Sequence, residues 1–199
     1  MNLQTVSSIR QAVAADAYEL AKLIDIAGEG IPAWLWAPKC QGEETPLDVG
    51  AERARRDEGG FSYKNALVAE RGGAVTGMVL SYPITEAPGC DPSELPAPIA
   101  PFVGLEARSV GTWYINALAV FAGNREAGLG TKLLTAVETQ AAAAGYPVIS
   151  IQVYAQNTGA FRLYERLGYT IAARAEVRLH PCQPYYTGDV LLLLKRLAG

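Results

Sequence analysis

Residues 125–130 have the sequence R-E-A-G-L-G and lie between a strand-like hydrophobic run, 113–120, and a helix-like run, 131–144. A helix N-terminus has backbone N–H groups without intrahelical partners and carries the positive end of the helix dipole. Glycines at such a junction let a phosphate approach these amides directly. The segment therefore predicts an anion site and, with it, a phosphorylated cofactor.

The spacing of the glycines excludes two common phosphate loops. A dinucleotide-binding fingerprint needs a third glycine where this chain has Leu133. A P-loop needs Lys and then Ser or Thr after its second glycine, whereas Gly128 is followed by Leu129 and Gly130. The pattern that remains is R-x-x-G-x-G.

Together with A-L-A-V at 117–120, this pattern resembles motif A of the GNAT superfamily of acetyl-CoA-dependent N-acetyltransferases. The stretch N-T-G-A-F-R-L-Y-E-R-L-G-Y at 157–169 is similar to a second segment of that family, N-x-x-A-x-x-x-Y-x-x-x-G-[FY]. The two motifs occur in the family's order and are joined by a helix and a strand of normal length. The resemblance is specific from about residue 112 to residue 169 and elsewhere concerns only the order of elements.

The resemblance implies that acetyl-CoA is the cofactor. Amides across 125–130 are then expected to hold the pyrophosphate, and the backbone of Leu118 and Val120 to pair with the pantetheine arm between two splayed parallel strands. The implied cofactor-binding residues are Leu118, Ala119, Val120, Arg125, Glu126, Ala127, Gly128, Leu129, Gly130, Thr131, Asn157 and Tyr164. The alternative is that Gly128 and Gly130 only relieve crowding where a helix begins.

One residue departs from the family pattern, because Glu126 stands where the family commonly has glycine. A carboxylate beside a pyrophosphate would repel it by on the order of 1 kcal/mol when screened by solvent. We therefore expect the Glu126 side chain to point outward.

Tyr164 lies on the apolar face of the second motif's helix, with Ala160, Leu163 and Leu167. This pattern alone favours a buried core aromatic. The resemblance implies a further role, since the family places at this position the tyrosine that protonates the departing thiolate. A phenol suits that role because its ordinary pKa, near 10, is comparable to that of a thiol. Asn157 is either the N-cap of the same helix or a cofactor contact.

The resemblance also implies direct attack of a neutral amine on the acetyl carbonyl in a ternary complex, with the backbone N–H near Leu118 polarising that carbonyl. No acyl-enzyme is needed. Cys40, Cys90 and Cys182 lie outside both motifs, which fits this route. They are far apart and odd in number, so we interpret them as reduced thiols.

Candidates for the acceptor side are Trp34, Tyr114, Asn116 and His180. Tyr114 and Asn116 share one face of their strand unless a bulge changes the register, and Tyr114 can equally be a core residue. His180 is either a base or a surface turn residue. Carboxylates near the predicted strand ends are usually only solvated, and none is identified as the base; they are Glu70, Glu86, Asp91, Glu106 and Asp189.

Composition limits the class of protein. A length of 199 residues fits one domain, and a net charge of −3 argues against a general nucleic-acid footprint. A single histidine and three dispersed cysteines predict no metal site. The start of the chain lacks the apolar region of a secretion signal, and 190–194 is too short to span a bilayer, so we expect no membrane association and a cytoplasmic location.

The predicted fold is α/β (α+β) and GNAT-like: a central mixed, mostly antiparallel sheet with splayed parallel strands 4 and 5, flanked by about four helices, in one domain of residues 1–199. A helix capped by Asp16 follows the first strand, and the segment 28–44 is too broken for a regular element. Prolines exclude a regular helix from an insertion at about 83–111, which is either a lid or a passive excursion. The other predicted elements are strands at 9–12, 65–70, 75–82, 113–120, 148–154, 170–180 and 186–195, and helices at 46–58, 129–144 and 158–167.

The leading hypothesis is an N-acetyltransferase that acetylates a primary amine of a small molecule. The insertion and the tryptophans of 31–36 favour a small acceptor because they can close the acceptor side. The alternatives are a protein N-terminal or lysine acetyltransferase and a non-catalytic acyl-CoA-binding sensor. The sequence leaves open whether the protein is a monomer or a homodimer.

Overall fold

The computed structural model describes residues 7–182, 184 and 187–197, apart from the side chains of residues 92, 126 and 127. Its strands are β1 Ser8–Gln11, β2 Ala66–Arg71, β3 Ala74–Pro83, β4 Trp113–Val120, β5 Val148–Tyr154, β6 Thr170–Glu176 and β7 Asp189–Arg196. Its α-helices are α1 Ala17–Ala27, α2 Ile31–Trp36, α3 Pro46–Ala54, α4 Ala100–Glu106, α5 Leu129–Ala143 and α6 Thr158–Arg166.

The strands follow the order β1-β2-β3-β4-β5-β7-β6 in a seven-stranded sheet. The pairs β1/β2, β2/β3, β5/β7 and β6/β7 are antiparallel, whereas β4 and β5 are parallel. The parallel ladder runs from Trp113↔Ile149 to Ile115↔Ile151, which is less than half of either strand. The predicted mixed, mostly antiparallel sheet with parallel strands 4 and 5 is confirmed.

The chain divides into two compact units. The first unit comprises the chain up to Ser81 together with Ala117–Val137. Its core forms because α1 presents an apolar stripe whose Leu20 and Ile24 are at most 2% exposed. Buried residues of β2, β3 and β4 complete this core, among them Val68, Met78, Leu80, Ala117 and Ala119.

The second unit comprises Tyr82–Asn116 and the chain from Glu138 onward. Its strands β5 and β7 are buried or half-buried along most of their length, which is typical of strands covered on both faces, whereas β6 is mostly exposed. Ile115, Ile149 and Leu193 are fully buried there. The buried hydroxyls of Thr112 and Ser150 share a hydrogen bond of 2.6 Å, which satisfies two polar groups in this core.

The interpretation of 28–44 as irregular was wrong, because α2 forms within it. Pro32 lies in the first turn of α2, where a missing N–H costs no intrahelical bond. Trp36 is 3% exposed and packs on Gly50 of α3, where an added Cβ would lie 2.4 Å from its ring. A large aromatic ring over a glycine therefore stabilises a helix that local signals do not predict.

The expectation that prolines exclude a helix from the insertion was also wrong. Pro101 lies in the first turn of α4, again the position that tolerates proline. The described residues consequently contain six α-helices rather than about four. Two predicted elements are shorter than expected: α3 ends at Ala54, and β6 ends at Glu176.

Candidate functional site

The turn after β4 has the geometry of an anion site in the first unit. A 3-10 segment, Ala122–Ala127, ends at Gly128, whose φ of 67° is left-handed, and α5 begins at Leu129. A Cβ added at Gly128 would meet no atom within 4 Å, so the space beside it is open. Gly128 is therefore favoured by its left-handed backbone conformation rather than by crowding around its Cα.

The first amides of α5 are the donors that this turn offers. An α-helix leaves its first N–H groups without intrahelical acceptors, and α5 spans 15 residues. Leu129 is 1% exposed, so its side chain belongs to the core and only its backbone can face a ligand. Thr131, in the same turn, is half-buried.

Arg125 ties this turn to the end of β4, because its Nε donates a hydrogen bond to the Val120 carbonyl at 3.3 Å. The side chain of Arg125 is exposed, so its charge remains available at the surface. The side chains of Glu126 and Ala127 lie outside the described part of the chain, and the outward orientation expected for Glu126 stays a prediction.

The last residues of β4 alternate between the core and the opposite face. Ala117 and Ala119 are each 6% exposed and belong to the core, whereas Leu118 and Val120 are half-buried. Strand geometry places these two pairs on opposite faces. The strand has a close neighbour, since a Cβ added at Gly77 of β3 would lie 2.9 Å from the Ala119 carbonyl oxygen.

Tyr164 faces inward in the second unit, as predicted. Its side chain is 5% exposed, and its ring lies 5.9 Å from that of Tyr169. Burial raises the pKa of Tyr164 above its ordinary value, because the charged phenolate is less well solvated there. The hydroxyl therefore remains protonated across the neutral range and is able to donate its proton.

Asn157 is the N-cap of α6, because its Oδ1 accepts a hydrogen bond from the Ala160 N–H at 3.2 Å. The N-cap interpretation is thus confirmed. The predicted helix end is confirmed too, since Gly168 is left-handed with a φ of 88°.

Two of the acceptor-side candidates meet in the second unit around a tyrosine that the sequence did not indicate. Asn116 Nδ2 donates a hydrogen bond to the Tyr82 hydroxyl at 3.1 Å. The rings of Tyr82 and Tyr114 pack edge to face with centroids 5.9 Å apart. Tyr114 is only 4% exposed, so it is a core residue of β4 whose ring supports Tyr82.

Glu106 completes this group. Burial chiefly raises the pKa of both Tyr82 and Tyr114, and the Glu106 charge raises them further; burial also raises the pKa of Glu106 above its ordinary value. We name these four residues, Glu106, Tyr82, Tyr114 and Asn116, the Glu106 cluster.

The remaining candidates do not join this cluster. Trp34 is a half-buried residue of α2 in the first unit. His180 Nδ1 accepts a hydrogen bond from the Cys182 N–H at 3.2 Å, a contact within the turn itself. This contact favours the interpretation of His180 as a turn residue.

The other carboxylates named above have local structural partners or are solvated. Glu70 pairs with Arg10 at 2.6 Å, and Asp189 pairs with Arg174 at 3.6 Å. Asp91 accepts hydrogen bonds from the backbone and hydroxyl of Ser93. Glu86 is exposed. Glu70, Asp189 and Glu106 are all half-buried, but Glu106 alone among these three has no ion pair within the described residues.

The described residues contain no group of three or more metal-binding side chains. Cys40, Cys90 and Cys182 are free thiols. None of the helices within the described ranges is long and apolar enough to cross a membrane.

Comparison with known proteins agrees with this geometry. The sequence model described as "Acetyltransferase (GNAT) family" matches residues 30–169. No curated protein sequence matches the chain.

Three solved structures have similar folds. An acetyltransferase superposes with a TM-score of 0.68 and 23% identity over 96% of this chain and 100% of that one. An N-acetyltransferase from Staphylococcus aureus Mu50 superposes with a TM-score of 0.67 and 22% identity, over 94% of this chain and 100% of that one. The yncA protein of Salmonella typhimurium, a putative acetyltransferase determined with its cofactor acetyl-CoA, superposes with a TM-score of 0.62 and 20% identity. The match covers 98% of this chain and 96% of that one.

Proposed function

Because this chain belongs to the GNAT family of acetyltransferases, we propose that it transfers the acetyl group of acetyl-CoA to a primary amine of a small molecule. The observation that carries the donor assignment is the left-handed Gly128 with open space beside it, immediately before α5. A pyrophosphate needs clustered N–H donors without a side chain in front of them, and this turn offers both. The acetyl-CoA found with yncA supports the same donor.

The residues present fit this cofactor. The first-turn amides of α5, at Leu129, Gly130 and Thr131, are proposed to hold the pyrophosphate, with Arg125 adding positive charge. The backbone of Leu118 and Val120 is proposed to pair with the pantetheine amides. When bound, acetyl-CoA supplies the acetyl group as an activated thioester.

Tyr164 is the proposed general acid. As the amine nitrogen bonds to the acetyl carbon, the carbon–sulfur bond breaks, and the Tyr164 hydroxyl gives its proton to the departing sulfur. The nitrogen loses a proton on becoming an amide, and that proton restores the phenol by way of solvent. The raised pKa of Tyr164 keeps the hydroxyl protonated before each turnover.

The insertion supports a small acceptor rather than a peptide. Helix α4 packs against β6 and β7, and Gln152 Nε2 donates a hydrogen bond to the Phe102 carbonyl at 3.1 Å. The Phe102 ring packs edge to face on Tyr154 with centroids 5.3 Å apart. A helix held on the sheet in this way acts in our proposal as a cover that excludes long substrates.

We also propose that the two units act as one acetyltransferase domain, because the family match takes in residues of both. A monomer or a homodimer is compatible with this proposal. A protein acetyltransferase or a non-catalytic acyl-CoA sensor would behave differently in the following experiment.

Calorimetric titration with acetyl-CoA tests the donor, with dephospho-CoA and NAD as comparators. We expect micromolar binding of acetyl-CoA and none of NAD. Thiol release in the presence of a panel of small primary amines then tests turnover. Binding without amine-dependent thiol release would indicate a sensor, turnover with only peptide amines would indicate a protein acetyltransferase, and failure to bind acetyl-CoA would overturn the proposal.

A further inference from the structure

The orientation of Glu106 follows from its helix. Phe102 of α4 contacts Tyr154 of β5, so this side of the helix faces the sheet. Residues four positions apart lie on the same face of an α-helix, which places Glu106 on that side, one turn further along. Glu106 thus faces the sheet, and its charge acts on Tyr82 and Tyr114 there.

The Glu106 carboxylate has no positive partner to balance it. Within the ranges that the structure describes, it forms no ion pair, and desolvation alone accounts for the rise in its pKa. Helix α4 also packs against β6 and β7, whose Arg174 and Asp189 pair with each other, and against the 3-10 segment Ala107–Ser109, whose Arg108 is exposed. A half-buried carboxylate without a cation is costly unless a ligand supplies one.

A second acceptor atom in the same unit also lacks a donor. Gln152 Oε1 is buried and has no hydrogen-bond partner among the described residues, although its Nε2 is held by the Phe102 carbonyl. Buried polar atoms usually have partners, so an orphaned oxygen beneath α4 points to a donor from outside the chain. An ammonium group carries three such donors.

The Glu106 cluster also offers aromatic surface to a cation. The ring of the half-buried Tyr82 is held at 73° to the buried ring of Tyr114, which supports it from the core. A cation beside the accessible part of the Tyr82 ring is attracted to its face. The hydrogen bond from Asn116 fixes the hydroxyl of the half-buried Tyr82, so the group is ordered before a ligand arrives.

We propose that the Glu106 cluster is the acceptor site, that it binds a small primary alkylammonium, and that the Glu106 carboxylate removes a proton from it. This inference rests on the proposed function, because it assigns the acceptor side of that reaction. Asn116 precedes Leu118 by two positions in β4.

The proton balance is as follows. The ionised Glu106 accepts one proton from the ammonium nitrogen, which frees the lone pair that forms the new bond to the acetyl carbon. Protonated Glu106 returns that proton to solvent and ends the turnover ionised. Partial burial raises the pKa of Glu106 above its ordinary value, which makes it a stronger base than a fully solvated carboxylate.

The test measures binding of n-butylammonium by calorimetry in excess coenzyme A, with n-butanol as the neutral isostere. Wild-type protein is compared with Glu106→Gln and with Glu86→Gln, which alters an exposed carboxylate of the same insertion. We expect saturable binding of n-butylammonium but not of n-butanol, weakened about tenfold or more by Glu106→Gln only. Thermal unfolding and coenzyme A binding of each variant report whether the fold is kept.

A measurement on the unaltered protein makes the proposal independent of the variants. Affinity for n-butylammonium should fall as the pH decreases through the raised pKa of Glu106, since the protonated carboxyl no longer attracts a cation. Tyr82 and Tyr114 stay neutral there, because their pKa values lie above the ordinary value of tyrosine.

The outcomes separate the two proposals. The inference is overturned by equal n-butylammonium affinity in Glu106→Gln and wild type, by equal binding of n-butanol, or by no saturable binding in wild type. Binding of n-butylammonium that depends on Glu106, without binding of acetyl-CoA, would uphold the cation site and overturn the proposed function.

Discussion

Asn116 of β4 donates a hydrogen bond from its side-chain amide to the hydroxyl of Tyr82, the penultimate residue of β3, at 3.1 Å. The bond is only partly buried, and Tyr82 in turn packs on the buried ring of Tyr114. One polar contact thus links a core aromatic to a half-buried surface in the second unit. This contact lies in the Glu106 cluster, which we propose as the acceptor site.

Tyr82→Phe tests this contact. The substitution keeps the ring but removes the oxygen that accepts from Asn116, and we expect the KM for an amine substrate to rise several-fold with a smaller change in kcat. Loss of a single neutral hydrogen bond is expected to lower the free energy of unfolding by about 0.5–1.5 kcal/mol. Steady-state kinetics and urea unfolding check both effects. Tyr18→Phe, on the exposed surface of α1, is the control; an unchanged KM in Tyr82→Phe would contradict a role for this hydroxyl.

Much of the fold could be predicted from local patterns. The limits of β4 and β5 match the predicted strands because both are hydrophobic runs that begin shortly after a glycine or a proline, Gly111 and Pro147. The turn at Gly72 and Gly73, with φ of 58° and 83°, joins β2 and β3 as glycine pairs do. These strands and this turn are determined by residues that are close in sequence, so local sequence patterns are enough to predict them.

The two missed helices have one physical cause. Pro32 and Pro101 were interpreted as helix breakers, but each lies in a first helical turn, where proline is tolerated. Missing α4 also concealed the site, because Glu106 faces the sheet only by virtue of its helical spacing from Phe102. The contribution of Tyr82 depends on which strands are neighbours, and a propensity pattern does not specify that.

Tyr164→Phe tests the general acid. Removing the hydroxyl should lower kcat by roughly 10²-fold or more, because the thiolate then departs without a proton donor. Acetyl-CoA affinity should change little, since the buried ring that packs on Tyr169 is retained. Steady-state kinetics and calorimetry separate the two effects. Turnover equal to that of the wild type would remove Tyr164 from this role.

Gly128→Val tests the anion site. Side chains on a left-handed residue are strained, so the substitution should destabilise the protein, and its methyl groups should also block approach to the α5 amides. Gly72→Val is a matched control, because Gly72 has a φ of 58° and likewise open space for a Cβ, but lies in the β2–β3 turn. We expect both variants to lower the melting temperature and only Gly128→Val to weaken acetyl-CoA binding. Equal acetyl-CoA affinity in the two variants would contradict the assignment.

Asp16 makes the stability of the first unit depend on pH. Its pKa is lowered chiefly by the hydrogen bonds from the Arg10 guanidinium, at 2.7 Å and 3.0 Å, and further by the Val13 N–H at 2.9 Å. A carboxyl whose pKa is lower in the folded than in the unfolded protein stabilises the fold above its unfolded pKa. That contribution is lost as the pH falls through the folded pKa.

Asp16→Asn is therefore expected to lower the free energy of unfolding at neutral pH by about 1–3 kcal/mol, the range for a hydrogen-bonded charged group, and to have little effect in strong acid. Denaturant unfolding across this pH range measures the difference. Asp57→Asn is the control, because Asp57 pairs with Lys64 at the exposed surface, where ion pairs contribute little. A loss in Asp16→Asn that is the same at acid and neutral pH would mean that Asp16 stabilises the fold by packing rather than by its charge.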